Sequence, residues 1–235
     1  MIEKRESIMV TGAGSGIGLE TVRALLVRST VDVIAIARNG RQRLDAELQA
    51  YPKRIHVIEQ DLLAPDAMER IVAVVGKQRL VGLVHNAAEL IKVAFGQYSR
   101  EELLRVYEIN VVIPVLLTQA LTNRLAGHPN SHVVSISSMG GFQDSTKFPG
   151  LLGYSSSKAA LACMAQCLAV EFADQGIRTN CLALGSVDTP MLRNAFPAYK
   201  AAATAAEMGH FIAEFTLTGH KHFNGKVLPV STSTP

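Results

Sequence analysis

Cysteine is scarce in this sequence. The 235 residues include three cysteines, Cys163, Cys167 and Cys181, and no Cys-x-x-Cys spacing relates them. An odd number at these positions argues against a disulfide framework. It favours a reducing, cytoplasmic setting.

Charge of one sign and long apolar runs are also lacking. The net charge is +3 without any run of Lys or Arg, so we expect no nucleic-acid or membrane-surface partner. No stretch approaches the roughly 18 apolar residues of a membrane span. Residues 1–6 are charged and lack the hydrophobic run of a signal peptide. The expected partner is therefore a small molecule.

What the sequence does contain is a regular alternation of strand and helix patterns. With 48% hydrophobic and 18% charged residues, it predicts one globular domain over residues 1–235. Apolar runs that are not interrupted by polar residues predict buried strands, and the alternation predicts an α/β fold: a Rossmann-like, doubly wound parallel sheet with helices on both faces. Strands are predicted at 8–10, 33–36, 55–58, 80–84, 133–136, 179–182 and 226–230, and helices at 17–29, 41–51, 66–77, 100–126 and 154–174. Residues 191–222 interrupt the alternation and are predicted to form a substrate lid.

A glycine-rich turn follows the first predicted strand. It reads Thr-Gly-Ala-Gly-Ser-Gly-Ile-Gly over residues 11–18 and leads into a predicted helix. Glycines let the backbone approach a pyrophosphate, whose charge meets the positive end of the helix. The turn therefore predicts nucleotide binding, although such a pattern in isolation is often only a turn.

Here the sequence resembles the short-chain dehydrogenase/reductase family. Asp61-Leu62 resembles the adenine-contacting segment of that family, and residues 85–88, His-Asn-Ala-Ala, resemble its Asn-Asn-Ala-Gly motif. Residues 183–190 resemble its Pro-Gly-x-x-x-Thr-Pro stretch, with Leu184 in place of Pro. The resemblance implies cofactor contacts at Gly12, Ser15, Gly16, Ile17, Gly18, Asp61, Leu62, Asn86, Ala87, Val187 and Thr189. The alternative interpretation of Asp61 is a strand-end cap or turn former.

The end of the second strand determines which nicotinamide cofactor is expected. An acidic residue there binds a free ribose 2′-hydroxyl, whereas Arg suits a 2′-phosphate. Asp32 begins this strand, about 15 Å from its far end, so it cannot reach the ribose. Arg38 lies at the right end and predicts NADP(H), with NAD(H) less favoured. Two alternatives stay open: Arg38 lies in solvent, or Arg41 or Arg43 binds the phosphate.

Tyr154 and Lys158 form the predicted catalytic pair. Residues four apart share a helix face about 6 Å apart along its axis, and a nearby ammonium lowers the pKa of a phenol. The surrounding sequence again resembles the family, which implies that Ser138 binds the substrate oxygen and that Asn110 supports a water chain to Lys158. Spacing cannot separate Ser137 from Ser138. A purely structural role for Asn110 also remains open.

Other polar residues carry less weight. Cys163 and Cys167 are interpreted as small core residues. His210, His220 and His222 lack acidic or cysteine partners nearby in the sequence and are interpreted as surface residues, so no metal site is expected.

The leading hypothesis is an NADP(H)-dependent oxidoreductase that interconverts a carbonyl and an alcohol, with Tyr154 as proton donor. The alternatives are an NAD-dependent alcohol dehydrogenase and a catalytically silent nucleotide-sensing protein. The apolar and aromatic lid favours an uncharged, medium-sized ketone or aldehyde. The resemblance implies a homodimer or homotetramer paired through the helices at 100–126 and 154–174.

Overall fold

A seven-stranded parallel sheet lies at the centre of the computed structural model, which describes residues 6–232. Along the chain the strands are β1 Ser7–Thr11, β2 Asp32–Ala37, β3 Ile55–Glu59, β4 Leu80–His85, β5 His132–Ser138, β6 Arg178–Leu184, β7 Val187–Asp188, β8 Ala203–Thr204 and β9 Lys226–Val230. Within the described residues the large sheet has the order β3-β2-β1-β4-β5-β6-β9, and β7 pairs separately with β8. The strand order reverses between β1 and β4. In open α/β sheets, the carboxyl ends of strands at such a reversal border the ligand crevice.

Helices flank both faces of the sheet. They are α1 Gly16–Arg28, α2 Gly40–Arg43, α3 Asp45–Ala50, α4 Ala67–Val75, α5 Arg100–Tyr107, α6 Ile113–Leu125, α7 Leu152–Glu171, α8 Pro190–Ala195 and α9 Ala205–Thr218. One apolar layer includes Leu25 of α1 and Ile212 of α9, and the other includes Ile71 of α4 and Leu117 of α6. The predicted doubly wound α/β fold is confirmed.

Both ends of the described chain contribute strands to this one sheet, since β1 begins at Ser7 and β9 ends at Val230. The single domain predicted over residues 1–235 also includes residues 1–5 and 233–235. These lie outside the described residues.

Two predicted helices differ in detail from the structure. The helix predicted at 41–51 is divided at Leu44, which is fully buried and leaves helical geometry between α2 and α3. The helix predicted at 100–126 is continuous but contains a π-helical segment, Glu108–Val112, between α5 and α6. Pro114 lacks an N–H and cannot donate to the carbonyl four residues earlier, which favours this irregularity.

The stretch Arg100–Leu125 is long and apolar enough to cross a membrane by length and composition, contrary to our reading of the sequence. A core helix passes the same test, and 33% of its most apolar window is buried. Its outward side includes exposed Leu104, Val112, Val115 and Leu116. The stretch thus combines a core-facing side with an exposed apolar side.

The predicted lid at 191–222 is corrected in its second half. Residues 205–218 form α9, whose Met208, Ile212 and Phe215 are buried in the core. Thr204 and Glu207 form a capping box at its start, a sequence signal of helix initiation that our reading overlooked. Within the predicted lid, residues 191–204 remain the candidate.

The cysteine and histidine interpretations also change. Cys163 and Cys167 are exposed, because their face of α7 is turned away from the sheet, whereas Cys181 on β6 is buried. His220 is partly buried, and its ring lies 5.9 Å from that of His132. Among residues 6–232 no group of three His, Cys, Asp or Glu residues could hold a metal ion.

Candidate active site

The glycine turn is tied to the end of β4 at the strand-order reversal. The amide Nδ2 of Asn86 donates to the carbonyl oxygen of Thr11 at 2.9 Å. In return, the Oγ1 of Thr11 accepts from the backbone amides of Asn86 at 3.1 Å and Ala87 at 3.0 Å. These reciprocal bonds hold the turn against the loop that follows β4. Sequence reasoning identified Asn86 and Ala87 but missed the supporting role of Thr11.

The backbone of this turn forms a cradle that side chains would fill. Gly12 has φ +66°, and a β-carbon there would lie 2.8 Å from the Cα of Ala87. A β-carbon on Gly18 would overlap the carbonyl oxygen of Gly12. Ser15 is exposed and caps α1 without a side-chain hydrogen bond, so its hydroxyl does not occupy the first-turn amides. Free amides at a helix N-terminus suit a pyrophosphate, and the residues present therefore fit a dinucleotide.

The loop after β6 reaches the other side of this cradle. A β-carbon on Gly16 would lie 3.3 Å from the Cγ2 of Thr189. Thr189 caps α8 by accepting the amide of Leu192 at 3.2 Å. Val187 is buried two residues earlier, and Ile17 packs against the same core layer. The structure thus brings Thr189 beside the glycine turn.

Two arginines lie where the adenosine end of a dinucleotide is expected. Arg38 follows β2 directly and is exposed. Arg43 lies against the turn, since a β-carbon on Gly14 would be 3.2 Å from its Cδ. Arg41 instead faces Glu59, with an N···O distance of 3.8 Å. Arg38 and Arg43 therefore both remain candidates for binding the 2′-phosphate, whereas Arg41 faces the carboxylate of Glu59.

Asp61 performs the turn-forming role that was its alternative interpretation. Its Oδ1 accepts the backbone amide of Leu63 at 3.0 Å. Asp61 is exposed, whereas the side chain of Leu62 is buried in the core. The Asp61 side chain is therefore accessible to a ligand, whereas the Leu62 side chain packs in the core.

Ser138 and Tyr154 face each other at the end of β5. Burial raises the pKa of the Tyr154 phenol above its ordinary value, and a hydrogen bond with Ser138 opposes part of that rise. Ser137 points the other way, and its hydroxyl donates to the carbonyl of Lys158 at 2.7 Å. Alternation along the strand separates these adjacent serines. Ser138 is the one beside the phenol.

Lys158 is almost completely buried. Its side chain is 2% exposed, and Nζ donates to the carbonyl oxygen of Ile136 at 2.8 Å. The Nζ atom lies 5.8 Å from the centre of the Tyr154 ring. Burial lowers the pKa of Lys158 to about 8. Lys158 is not among the causes of the Tyr154 pKa shift, in which burial has the largest effect.

A row of buried side chains crosses the sheet beneath Lys158. His85, Ser135 and Cys181 are aligned in register across β4, β5 and β6. The Nε2 of His85 lies 2.7 Å from the Oγ1 of Thr118. Burial, and then the charge of Lys158, lower the pKa of His85 to about 3, and burial raises that of Cys181 to about 12. Both groups are therefore neutral near pH 7.

Asn110 joins three segments of the site. Its Oδ1 accepts the amide of Glu89 at 2.9 Å, and its Nδ2 donates to the carbonyl of Glu89 at 3.0 Å and to the hydroxyl of Ser157 at 2.9 Å. Ser157 in turn donates to the carbonyl of Tyr154 at 2.7 Å. These bonds realise the structural role considered for Asn110. Ser157 was missed by the sequence reasoning, although it lies next to Lys158 in the catalytic helix.

The chain matches the family model described as short chain dehydrogenase over residues 6–200. It belongs to the short-chain dehydrogenase family. The match covers the glycine turn, the Asn86 loop, β5 and the Tyr154 helix, which are the segments that meet in the site. Members of this family are oxidoreductases that use NAD(H) or NADP(H) and act on small molecules, commonly as oligomers.

Similar proteins span nearly the whole chain. A Staphylococcus aureus (strain USA300) protein described as an uncharacterized oxidoreductase is 25% identical over 219 residues, covering 92% of each chain. A short-chain dehydrogenase structure from Streptomyces avermitilis is 27% identical, with a TM-score of 0.80 over 97% of this chain and 89% of that one. Pseudomonas aeruginosa RhlG, solved as a complex with NADP, is 24% identical, with a TM-score of 0.84 over 98% and 96% of the two chains. The similarity to RhlG supports the short-chain dehydrogenase fold.

Proposed function

We propose that this short-chain dehydrogenase reduces a ketone or aldehyde with NADPH, with Tyr154 as the proton donor. The observation that carries the proposal is the placement of Ser138 and Tyr154 against each other, with Lys158 one helical turn further along α7. All three lie at the carboxyl edge of the sheet, the edge that also carries the glycine cradle.

The chemistry expected of these residues is acid catalysis. Ser138 orients the substrate oxygen, and Tyr154 donates its phenolic proton to that oxygen. The bound nicotinamide supplies the hydride. The Tyr154 phenol is protonated at neutral pH, and burial raises its pKa further above that range, so it can donate a proton to the substrate oxygen. An ammonium has three donors, so the bond of Lys158 to Ile136 leaves it able to hold ribose hydroxyls.

The cofactor proposal rests on positive charge at the adenosine end. Arg38 is exposed at the end of β2, Arg43 borders the glycine turn, and Asp32 lies at the opposite end of the strand. RhlG, a relative in fold, was solved with NADP. These observations support NADP(H) over NAD(H).

The proposal also includes the oligomeric state and the cellular location of the protein. The exposed apolar side chains of α5, α6 and α7 are consistent with pairing of two or more copies through these helices. They are Leu104, Val115, Leu116, Leu152 and Val170, and Val112 of the π-helical segment adjoins them. Three free thiols are consistent with a cytoplasmic protein.

The decisive test follows NADPH absorbance with a panel of uncharged carbonyl compounds. Tyr154→Phe should retain NADPH binding and lower turnover by at least about 10²-fold, because the proton donor is removed while the ring remains. Ser138→Ala should also reduce turnover. The control is Ser137→Ala, whose lost hydrogen bond affects stability rather than chemistry. NADPH binding without turnover in the wild type across the panel would instead favour a nucleotide sensor, and full activity of Tyr154→Phe would exclude its proposed role.

A further inference from the structure

Three loops from the carboxyl edge of the sheet meet at one side chain, Lys92. Lys92 lies in the loop after β4. Its stem packs on the loop after β5, where a β-carbon on Gly150 would lie 3.2 Å from the Cγ of Lys92. Its neighbour Val93 donates a backbone hydrogen bond to the carbonyl of Gly150 at 3.0 Å. Gly150 lies four residues before Tyr154 in the sequence, so Lys92 contacts the loop that leads into the Tyr154 helix.

The ammonium of Lys92 contacts the third loop, at the end of α8. Its Nζ donates to the carbonyl oxygen of Ala195 at 3.2 Å. The same Nζ lies 4.0 Å from the centre of the Phe196 ring, a cation–π geometry. Lys92 and Ala195 lie 103 residues apart in the sequence. This contact therefore closes a gap between elements rather than supporting a local turn.

The segment held by Lys92 has little else to fix it. None of the six residues of α8 is buried. Its polar contacts are exposed, including the bond of Lys92 to Ala195, Arg193 with Asp188 at 2.5 Å and Tyr199 with Ser186 at 3.3 Å. Exposed ion pairs contribute little stability, and segments with few buried contacts open at low cost. Lys92 differs from these pairs because it contacts the segment twice, at the Ala195 carbonyl and at the Phe196 ring, so its removal should make the segment easier to open.

We propose that Lys92 is the latch of a substrate lid formed by residues 190–202, and that it positions this lid by gripping Ala195 and Phe196. The lid directly follows Thr189, which lies beside the glycine turn, and Lys92 holds the middle of the lid against the loop that leads to Tyr154. Closing it covers the space between the cofactor cradle and the phenol. Lys92 is a positioning residue for the carbonyl substrate, and this role rests on the proposed reductase function.

Hydrogen exchange tests the latch without requiring turnover. In Lys92→Met, amides 192–200 should exchange about 10-fold faster, since the charge-assisted bond and the cation–π contact are both lost. Lys92→Arg should restore slow exchange, because a guanidinium can make both contacts. Lys200→Met, an exposed change in the same segment, is the control and should leave exchange unchanged. Unchanged exchange in Lys92→Met would overturn the latch, whether or not the protein is a reductase.

Kinetics then test the positioning of substrate. Lys92→Met and Phe196→Leu should each raise the KM for the carbonyl substrate about 5- to 10-fold, while the Kd for NADPH stays within twofold of the wild type. The double variant should show little further increase in KM, because both substitutions remove the same contact between Lys92 and the Phe196 ring. Equal weakening of substrate and NADPH binding, or fully additive effects, would contradict the latch and indicate a general structural role. If the wild type shows no turnover, the reductase function is contradicted. The hydrogen-exchange result then tests the role of Lys92 by itself.

Discussion

At the scale of single residues, Lys158 combines a positive charge with almost complete burial. Its ammonium binds the carbonyl of Ile136, and no carboxylate is among the causes of its pKa shift. Burial lowers the pKa from 10.5 to about 8, a difference of about 2.5 units. At about 1.4 kcal/mol per unit, keeping this lysine charged in the fold costs on the order of 3 kcal/mol. The site therefore retains the charge at the expense of stability.

This cost predicts that Lys158→Met stabilises the free protein. Below pH 8 both folded and unfolded chains hold the proton, and the full cost is present. As the pH rises from about 8 towards 10.5, the folded state loses the proton first, so the wild type gains stability. The variant should be up to about 3 kcal/mol more stable at pH 7 and should lack this gain. Urea unfolding of both proteins between pH 7 and 9 measures the difference. A destabilised variant at pH 7 would contradict the assigned cost.

The arginines beside the glycine turn lead to a second residue-scale prediction. If Arg38 binds the 2′-phosphate, charge-assisted hydrogen bonds should favour NADPH over NADH by about 1.5–3 kcal/mol, or roughly 10- to 150-fold in kcat/KM. Arg38→Ala should remove most of that preference, and Arg43→Ala should do so if Arg43 binds the phosphate. Arg41→Ala is the matched control, since Arg41 faces Glu59. The measurement is kcat/KM with both cofactors. A wild type that prefers NADH would exclude the NADP(H) proposal.

At the scale of elements, α9 joins the late part of the chain to the nucleotide half. Gly209 packs against the backbone of α1, where a β-carbon would lie 2.5 Å from the Cβ of Glu20 and 2.6 Å from its carbonyl carbon. Only the lack of a side chain permits this approach. Because α1 starts in the glycine turn, the position of α9 also supports the cofactor cradle.

Gly209→Ala sets helix propensity against packing. Propensity alone would stabilise the helix by about 1 kcal/mol. Forcing two packed helices apart typically costs about 1–3 kcal/mol or more, and here the clash is with backbone, which yields least. We therefore expect net destabilisation of about 1–2 kcal/mol and weaker NADPH binding, measured by thermal unfolding and titration. His210→Ala, an exposed neighbouring change, should have little effect. A stabilised Gly209→Ala protein would show that the α1–α9 contact adjusts freely.

At the scale of the whole molecule, two buried neutral histidines brace the sheet. His85 on β4 lies beside Thr118, and His132 on β5 bonds the carbonyl of Thr216 through Nδ1 and the Nδ2 of Asn180 through Nε2. Because Asn180 donates, protonating the Nε2 of His132 would bring two donors together. Burial is the first cause that lowers the pKa of His85 to about 3 and that of His132 to about 4.

These pKa values predict acid lability. Below pH 6.5 the unfolded chain binds protons at both histidines while the folded protein does not, so stability falls as the pH falls. Between pH 6.5 and 5 each histidine should remove about 1.6 kcal/mol, or about 3 kcal/mol together. Urea midpoints at the two pH values measure the loss. His85→Asn should reduce the loss by about half, and an equal loss in that variant would show that other groups cause it.

The sequence by itself determined the parts of this protein that depend on neighbours along the chain. Buried strands, the glycine turn before α1 and the four-residue spacing of Tyr154 and Lys158 are local patterns, and the doubly wound sheet follows from their alternation. The Thr204–Glu207 capping box was an equally local signal for α9, although it went unread.

Only the tertiary structure decided the features that require distant segments to meet. It separated Ser138 from Ser137, turned Lys158 towards Ile136, exposed Cys163 and Cys167, placed α9 in the core and brought Lys92 onto Phe196. Each of these depends on which face of one element another element covers. That choice is made by packing between residues tens to a hundred positions apart, where the local pattern on either side is compatible with several partners.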